Sequence, residues 1–148
     1  MLHLHDIESG YGAGQVLFGV SLSVPAGHVV SLMGRNGMGK TTTIRTIMGQ
    51  LPLTAGRISR FGNDQPDQLP FQIARQGIGL VPEGRQIFSN LDVTENLKTF
   101  YRPPRDDGGS HWHYERVLDL FPRLAERRDH AGNHLSGGEQ QMLAIGRA

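Results

Sequence analysis

The glycine-rich stretch at residues 34–41 constrains the fold of this chain more than any other feature. It follows a short, almost continuously apolar run at residues 28–33, and it precedes a helical spacing of apolar side chains at residues 40–48. The stretch reads Gly-x-x-x-x-Gly-Lys-Thr, and a strand, a glycine loop and a helix form the context in which this pattern binds phosphate. The sequence therefore predicts a phosphate-binding loop within an α/β fold.

Each residue type in this loop has a chemical reason. Main-chain N–H groups can wrap a polyphosphate only where side chains do not block the approach, which favours glycine. The helix that follows directs the positive end of its dipole at the phosphates. Lys40 is predicted to contact the β- and γ-phosphates, and the Thr41 hydroxyl is predicted to hold Mg²⁺. The predicted nucleotide-binding residues of the loop are Gly34, Arg35, Asn36, Gly37, Met38, Gly39, Lys40, Thr41 and Thr42.

Composition excludes several classes of function. The 148 residues include 15 Lys+Arg and 14 Asp+Glu, a net charge of +1, whereas a general nucleic-acid binder is usually strongly basic. The absence of cysteine excludes disulfides, thiol catalysis and cysteine-ligated metals. The apolar runs are far shorter than the roughly 20 residues of a membrane span, so no transmembrane segment is predicted. The N-terminus is acidic and does not resemble a signal peptide.

The hydrophobic pattern predicts alternating strands and helices. Strands are predicted at residues 2–7, 16–24 (as a pair interrupted at Gly19), 28–33, 57–61 and 78–81, with residues 28–33 and 78–81 buried. Helices are predicted at residues 40–48, 71–76, 92–101, 115–128 with a kink at Pro122, and from residue 136 to the end. Capping boxes begin the helices at Asp92 and Ser136, and residues 102–113 are predicted to form an exposed loop.

The second glycine cluster lies at the start of the last predicted helix. A serine hydroxyl and two glycine N–H groups, at Ser136, Gly137 and Gly138, are compatible with a second anion site. The alternative is an ordinary helix N-terminus that contains two glycines and binds no anion. A single nucleotide would not obviously use both glycine clusters in one chain.

Taken together, the two clusters resemble a known family. Leu-Ser-Gly-Gly-Glu-Gln-Gln at residues 135–141 resembles the signature motif of ATP-binding-cassette (ABC) ATPases, and residues 34–42 resemble their Walker A loop. Tyr11 resembles the aromatic residue that stacks on adenine, and residues 80–85, Leu-Val-Pro-Glu-Gly-Arg, lie where the family has its Q-loop. Residues 88–97 and 120–128 look most like the LivF-type ATPase subunits of branched-chain amino-acid importers.

The resemblance implies a fold and a site. The fold is a P-loop α/β core with an antiparallel β portion, which would occupy residues 1–90 with the Q-loop, and a helical signature subdomain at residues 91–148. ATP and Mg²⁺ are the implied cofactors, with Lys40 and Glu83 as catalytic residues and Thr41 and Glu83 as magnesium ligands. The signature residues would contact the ATP of a partner chain; they are Leu135, Ser136, Gly137, Gly138, Glu139 and Gln140.

The resemblance also implies partners and a location. ABC ATPases work as head-to-tail pairs, so a second ATPase subunit is expected, identical or different, together with transmembrane permease subunits. The implied location is cytoplasmic, on the inner face of the cell membrane, where the pair energises import. Stacking on adenine uses the Tyr11 ring, so Tyr11→Phe is expected to be nearly silent for ATP binding, whereas Tyr11→Ala is not.

Two departures from the family pattern qualify this interpretation. Glu83 stands where most ABC ATPases have glutamine, although this subfamily prefers glutamate. No apolar run followed by Asp-Glu, the Walker B pattern, occurs in the 148 residues, and no switch histidine is identified. The chain is therefore expected to be the N-terminal part of a longer ATPase and to hydrolyse ATP poorly by itself. The alternatives are a non-hydrolysing ATP-binding fragment and the ATPase of a related urea or amide importer.

Overall fold

The computed structural model describes residues 1–64, 68–101 and 111–148. They divide into two compact units, Met1–Ile78 and Gly79–Ala148. Most of the predicted loop at residues 102–113 lies outside the described residues. Within the described part of the chain, no helix is long and apolar enough to cross a bilayer.

The first unit contains an antiparallel sheet with strand order β2-β1-β3-β4. Its strands are β1 Leu2–Tyr11, β2 Gly14–Val24, β3 Ala55–Arg60 and β4 Asn63–Asp64. A tight turn joins β1 to β2, with Tyr11 opposite Gly14 and with Gly12 at φ 57°. The predicted interruption of β2 at Gly19 is wrong, since shifts of register between β1 and β2 accommodate the irregularity within one continuous strand.

Helix α1, Lys40–Ile47, packs on this sheet, and α2, Pro70–Arg75, follows β4. The core of the unit consists of apolar side chains from the sheet and from α1: Leu4, Ile7, Leu17, Ile47 and Ile58. Buried polar contacts fix the helix further. The Thr46 hydroxyl donates to Ser9 Oγ at 2.9 Å, and the buried Arg60 guanidinium donates through Nε and Nη2 to the Ile47 carbonyl. Arg60 thus caps the negative end of α1.

The predicted buried strands at residues 28–33 and 78–81 are wrong for this structure. Neither segment is in a strand, and in the first of them Val29 is 98% exposed and Met33 is 87% exposed. An inner strand exists only when neighbouring strands satisfy its N–H and C=O groups. Within the described residues the sheet ends at β2 and β4, and neither segment has a ladder partner.

The second unit is helical. It contains α3 Val93–Phe100, α4 Tyr114–Leu120, α5 Pro122–Glu126, a 3₁₀ helix Gly132–His134 and α6 Gly137–Arg147. These elements share a core of six buried residues: Val93, Leu97, Val117, Leu124, Leu135 and Leu143. The prediction of one kinked helix over residues 115–128 is wrong. Phe121, at φ −122° and ψ 74°, separates two helices because a residue before proline avoids the helical region.

Asn96 connects α3 to the segment that precedes it. The side chain is fully buried, and its Nδ2 donates to the carbonyls of Phe88, Leu91 and Asp92 at 2.9–3.1 Å. Its Oδ1 accepts from the Phe88 N–H at 3.0 Å. The Asn96 amide therefore provides hydrogen-bond partners for backbone N–H and C=O groups of this loop, which is not part of a regular strand ladder.

Replacing Asn96 by Ala should destabilise the fold by about 2–4 kcal/mol, because the mutation leaves several buried backbone groups unpaired. Thr99→Ala on the exposed face of the same helix is the matched control and should cost much less. Urea unfolding followed by circular dichroism measures both. Equal losses for the two variants would contradict this role of Asn96.

Candidate nucleotide-binding site

The loop at residues 34–39 begins α1 in a conformation that requires glycine. Gly37 has φ 84°, and Gly39, the N-cap residue of α1, has φ 83° in the left-handed region. A Cβ at Gly39 would lie 2.7 Å from Leu17 Cδ2, inside the core of the first unit. The glycine predicted for close approach is therefore also needed for packing of the helix against the sheet.

Lys40 folds back over the loop. Its Nζ donates to the Gly34 carbonyl at 2.7 Å and to the Arg35 carbonyl at 2.8 Å. These bonds hold the ammonium group beside the main chain of the loop. The loop itself is closed by a turn in which the Met38 N–H donates to the Arg35 carbonyl at 3.3 Å. The structure thus brings Lys40, Gly34 and Arg35 together, with Asn36 and Met38 exposed on the turn.

The first turn of α1 carries the predicted hydroxyl residues. Thr41 is exposed and Thr42 is buried. Mg²⁺ usually takes one or two hard oxygen ligands from a protein, with the rest from phosphates and water. The Thr41 hydroxyl is a donor of that kind and follows directly on Lys40, so these residues fit a magnesium–polyphosphate complex. In the described part of the chain, no three metal-binding side chains cluster on their own.

Tyr11 lies at the end of β1, beside α1. The residue is 45% exposed, and its hydroxyl accepts a hydrogen bond from Arg45 Nη1 at 3.2 Å. The Thr42 hydroxyl, and then Arg45, lower the pKa of the Tyr11 phenol below its usual value. Sequence reasoning did not identify Arg45, since nothing in the local pattern links it to a residue 34 positions away.

In the second unit, the signature residues form the N-terminus of α6. Ser136 is the N-cap residue, and its Oγ accepts from the Glu139 N–H at 3.3 Å. The Glu139 carboxylate in turn accepts from the Ser136 N–H at 2.7 Å. The predicted capping box is therefore confirmed. Leu135 is buried in the core, and a Cβ at Gly138 would meet open space.

Arg85 and Gln140 extend this cluster. Arg85 Nη1 donates to Gln140 Oε1 at 3.0 Å, and the Gln140 Nε2 donates to the Gly132 carbonyl at 3.0 Å. The Arg85 guanidinium would lie 3.1–3.3 Å from a Cβ at Gly137, so a side chain there would require a small shift of Arg85. Sequence reasoning placed Arg85 in the Q-loop pattern but did not predict this contact.

Glu83 begins the loop that leads to Arg85. The side chain is exposed, and the next three residues all have positive φ: Gly84 at 76°, Arg85 at 67° and Gln86 at 47°. Arg147 Nη1 donates to the Gln86 carbonyl at 3.0 Å, which holds the far side of this loop. Glu83 belongs to the second unit, whereas Lys40 and Thr41 belong to the first.

Comparison with known proteins identifies the family. The family model described as ABC transporter matches residues 17–148, so the chain belongs to the ABC transporter ATP-binding family. It is 42% identical over its whole length to the "High-affinity branched-chain amino acid transport ATP-binding protein BraG" of Pseudomonas aeruginosa, of which it covers 63%. It is 36% identical over 97% of its length to the "Lipopolysaccharide export system ATP-binding protein LptB" of Escherichia coli, covering 60% of that protein. It is 30% identical over its whole length to the "Probable branched-chain amino acid transport ATP-binding protein LivF" of Archaeoglobus fulgidus, covering 62%.

Solved structures confirm the predicted fold class. A nucleotide-free ATP-binding cassette from an ABC transporter superposes with a TM-score of 0.80 at 28% identity, over all of this chain and 64% of that one. A dimeric cassette in a post-hydrolysis state, bound to ADP and Pi, gives a TM-score of 0.75 at 26% identity, over 99% of this chain and 68% of that one. The chain spans about 60–63% of the length of the three sequence relatives BraG, LptB and LivF.

The capping box at Ser136 should make stability depend on pH. The Ser136 N–H and hydroxyl, and then Arg127, lower the pKa of Glu139. A carboxyl whose pKa is lower in the folded state stabilises the fold above its unfolded pKa of about 4.3, and this contribution disappears as the pH falls through the folded pKa. The stability advantage of the native chain over Glu139→Gln should therefore shrink between pH 6 and pH 3 in urea unfolding.

Ser136→Ala is the matched control for this pH dependence. It removes the hydroxyl but keeps the main-chain N–H, which is the largest cause of the lowered pKa of Glu139. The variant should lose stability at every pH and retain most of the pH-dependent part. A difference between native chain and Glu139→Gln that stays constant with pH would contradict the assignment.

Proposed function

We propose that the chain binds Mg²⁺-ATP at residues 34–42 and acts as the ATP-binding part of an ABC transporter. Lys40 contacts the β- and γ-phosphates, the Thr41 hydroxyl holds Mg²⁺, and the buried Thr42 adds a phosphate contact through its main-chain N–H. Tyr11 stacks on adenine. The family match and the glycine loop support this proposal.

The observation that carries the proposal is the composition of the α1 N-terminus. Among the described residues, α1, α3 and α6 are the helices of eight or more residues. Helices α3 and α6 each have a capping box with glutamate in the first turn, whereas α1 has neither a side-chain cap nor an acidic residue there. Instead α1 begins with Lys40. The first turn of α1 thus has the Lys40 ammonium and N–H groups without a side-chain cap, but no carboxylate of its own. Such a helix start favours the binding of an external polyanion.

The second glycine cluster serves a nucleotide held by another subunit. Ser136 and Gly137 lie at the positive end of α6. We propose that the signature residues, 135–140, cover the ATP bound by the partner in a head-to-tail pair. One of the solved relatives is itself dimeric and bound to ADP and Pi.

Hydrolysis would then release the pair and drive a permease. In this proposal Lys40 stabilises negative charge on the transferred phosphoryl group, and Glu83 orients the attacking water or reaches Mg²⁺. Glu83 can accept hydrogen bonds but, when ionised, cannot donate one. The permease subunits lie in the membrane, and the ATPase pair lies on its inner face.

The transported substrate proposed here is a branched-chain amino acid, moved inward. The support is the name of the BraG relative at 42% identity and of the LivF relative at 30%. LptB, a component of a lipopolysaccharide export system, is 36% identical, so an export system is the second candidate. A urea or amide importer is a third possibility that the sequence pattern allows. None of the residues described above contacts a transported molecule in this mechanism.

Lys40→Ala should weaken Mg²⁺-ATP binding by roughly 1.5–3 kcal/mol, because it removes a charge-assisted contact to phosphate. This corresponds to about 10- to 150-fold in Kd. Lys98→Ala, at the other lysine of the chain, is the control with the same change in net charge. Isothermal titration calorimetry measures both. Equal affinities for Lys40→Ala and the native chain would disprove the assignment.

The 148-residue chain should bind ATP but release little phosphate. Efficient water activation requires a catalytic carboxylate beside Mg²⁺, and no Walker B pattern occurs in these residues. Phosphate release should match that of the Lys40→Ala variant within error. A turnover that depends on Lys40 and reaches about 1 s⁻¹ or more, as in ordinary enzymes, would show that the hydrolytic groups lie within these residues.

A further inference from the structure

We propose that Arg45 is a positioning residue for the adenine site: it holds the Tyr11 ring through the phenolic hydroxyl. The inference rests on the proposed function, in which Tyr11 stacks on the base. It adds a role for the hydroxyl, which stacking alone does not need. It also adds a second function for α1, which begins with the phosphate-binding residues.

The first support is that β1 and α1 are fixed to each other beside this contact. Thr46, next to Arg45, donates from its buried hydroxyl to Ser9, two residues before Tyr11. Ser9 is fully buried and donates onward to the Pro52 carbonyl at 2.7 Å. The bond from Arg45 to Tyr11 is therefore the exposed continuation of a buried connection between the same two elements, so their relative position is defined.

The second support is that the main chain of Tyr11 is constrained by strand pairing, whereas the residue as a whole remains partly exposed. Tyr11 is paired with Gly14 at the turn between β1 and β2, and its predecessor Gly10 is buried. Tyr11 as a residue, in contrast, is 45% exposed. The hydroxyl contacts with Arg45 and Thr42 add a restraint at the far end of the side chain. A ring held in advance loses less conformational entropy when a base stacks on it.

The third support is that α1 connects the two halves of the nucleotide site. Lys40 and Arg45 are five residues apart on one helix, about 7.5 Å along its axis. The helix therefore sets the distance between the phosphate contacts and the residue that holds the ring.

The experiment compares two ligands in the presence of Mg²⁺: ATP, which has a base, and tripolyphosphate, which has none. Calorimetry gives the Kd of each for the native chain, Arg45→Ala, Arg45→Met, Tyr11→Phe and the double variant Arg45→Ala/Tyr11→Phe. Arg57→Ala, at an exposed position of β3, controls for the loss of one positive charge. Tyr11→Ala measures the whole contribution of the ring. The tripolyphosphate arm removes any general effect of the mutations on α1 or on folding.

We expect Arg45→Ala, Arg45→Met and Tyr11→Phe each to weaken ATP about 2- to 10-fold, the range of one hydrogen bond, and to leave tripolyphosphate unchanged. The double variant should be no weaker than Tyr11→Phe, because phenylalanine has already lost the hydroxyl that Arg45 contacts. Arg57→Ala should leave the ratio of the two Kd values unchanged.

Three results would overturn the inference, and they are distinguishable. If Tyr11→Ala weakens ATP but Arg45→Ala does not, the ring stacks without help from Arg45. If Arg45→Ala weakens both ligands equally, Arg45 acts on the phosphate site or on the helix as a whole. If Tyr11→Ala also leaves the ratio unchanged, base stacking itself is absent, and that part of the proposed function fails together with the inference.

Discussion

The contact between Gly39 and Leu17 is the constraint on which the candidate site depends. Leu17 is buried in the core of the first unit, and the N-cap residue of α1 sits so close to it that a Cβ would lie 2.7 Å from Cδ2. The end of the phosphate loop is therefore packed against the core of the first unit. Because the helix start is placed by the packing of the sheet, the positions of Lys40, Thr42 and Arg45 are consequences of the same core.

The two glycine clusters differ in how they satisfy the N–H groups at the start of a helix. At α6, Ser136 and Glu139 satisfy each other's N–H groups, and the helix start is stable without any external anion. At α1, Gly39 has no side chain with which to cap, and the N–H groups of the first turn receive no help of that kind. An anion therefore has more to contribute at α1. This difference between α1 and α6 agrees with the proposal that residues 34–42 bind the nucleotide of their own chain. The signature residues, 135–140, would contact the nucleotide of another subunit only when the two subunits pair.

The sequence predicted the elements whose structure depends on neighbouring residues. The capping boxes at Asp92 and Ser136 and the glycine-initiated helix at Lys40 all follow from local chemistry, and the structure contains each of them. The prediction was wrong where the outcome depends on distant strands. Residues 28–33 and 78–81 have the apolar composition of inner strands, but composition cannot supply the neighbour that a ladder requires. Pro122 was recognised as a kink, yet its effect on Phe121 was enough to end one helix and begin another.

The side chains that sequence reasoning missed share one property: their partners are distant in sequence. Arg45 contacts Tyr11 across 34 residues, and Arg85 contacts Gln140 across 55. No periodicity or motif reports such pairs, because each is created by tertiary packing. Their consequence for function is geometric. Arg85 joins the loop after Glu83 to the first turns of α6, and Arg147 joins the Gln86 carbonyl to its last turn. The loop that carries Glu83 is thus fastened to both ends of the helix that begins at the signature. Within the second unit, two side-chain hydrogen bonds therefore join the segment after Glu83 to the helix that begins after Ser136, and neither bond follows from the local sequence.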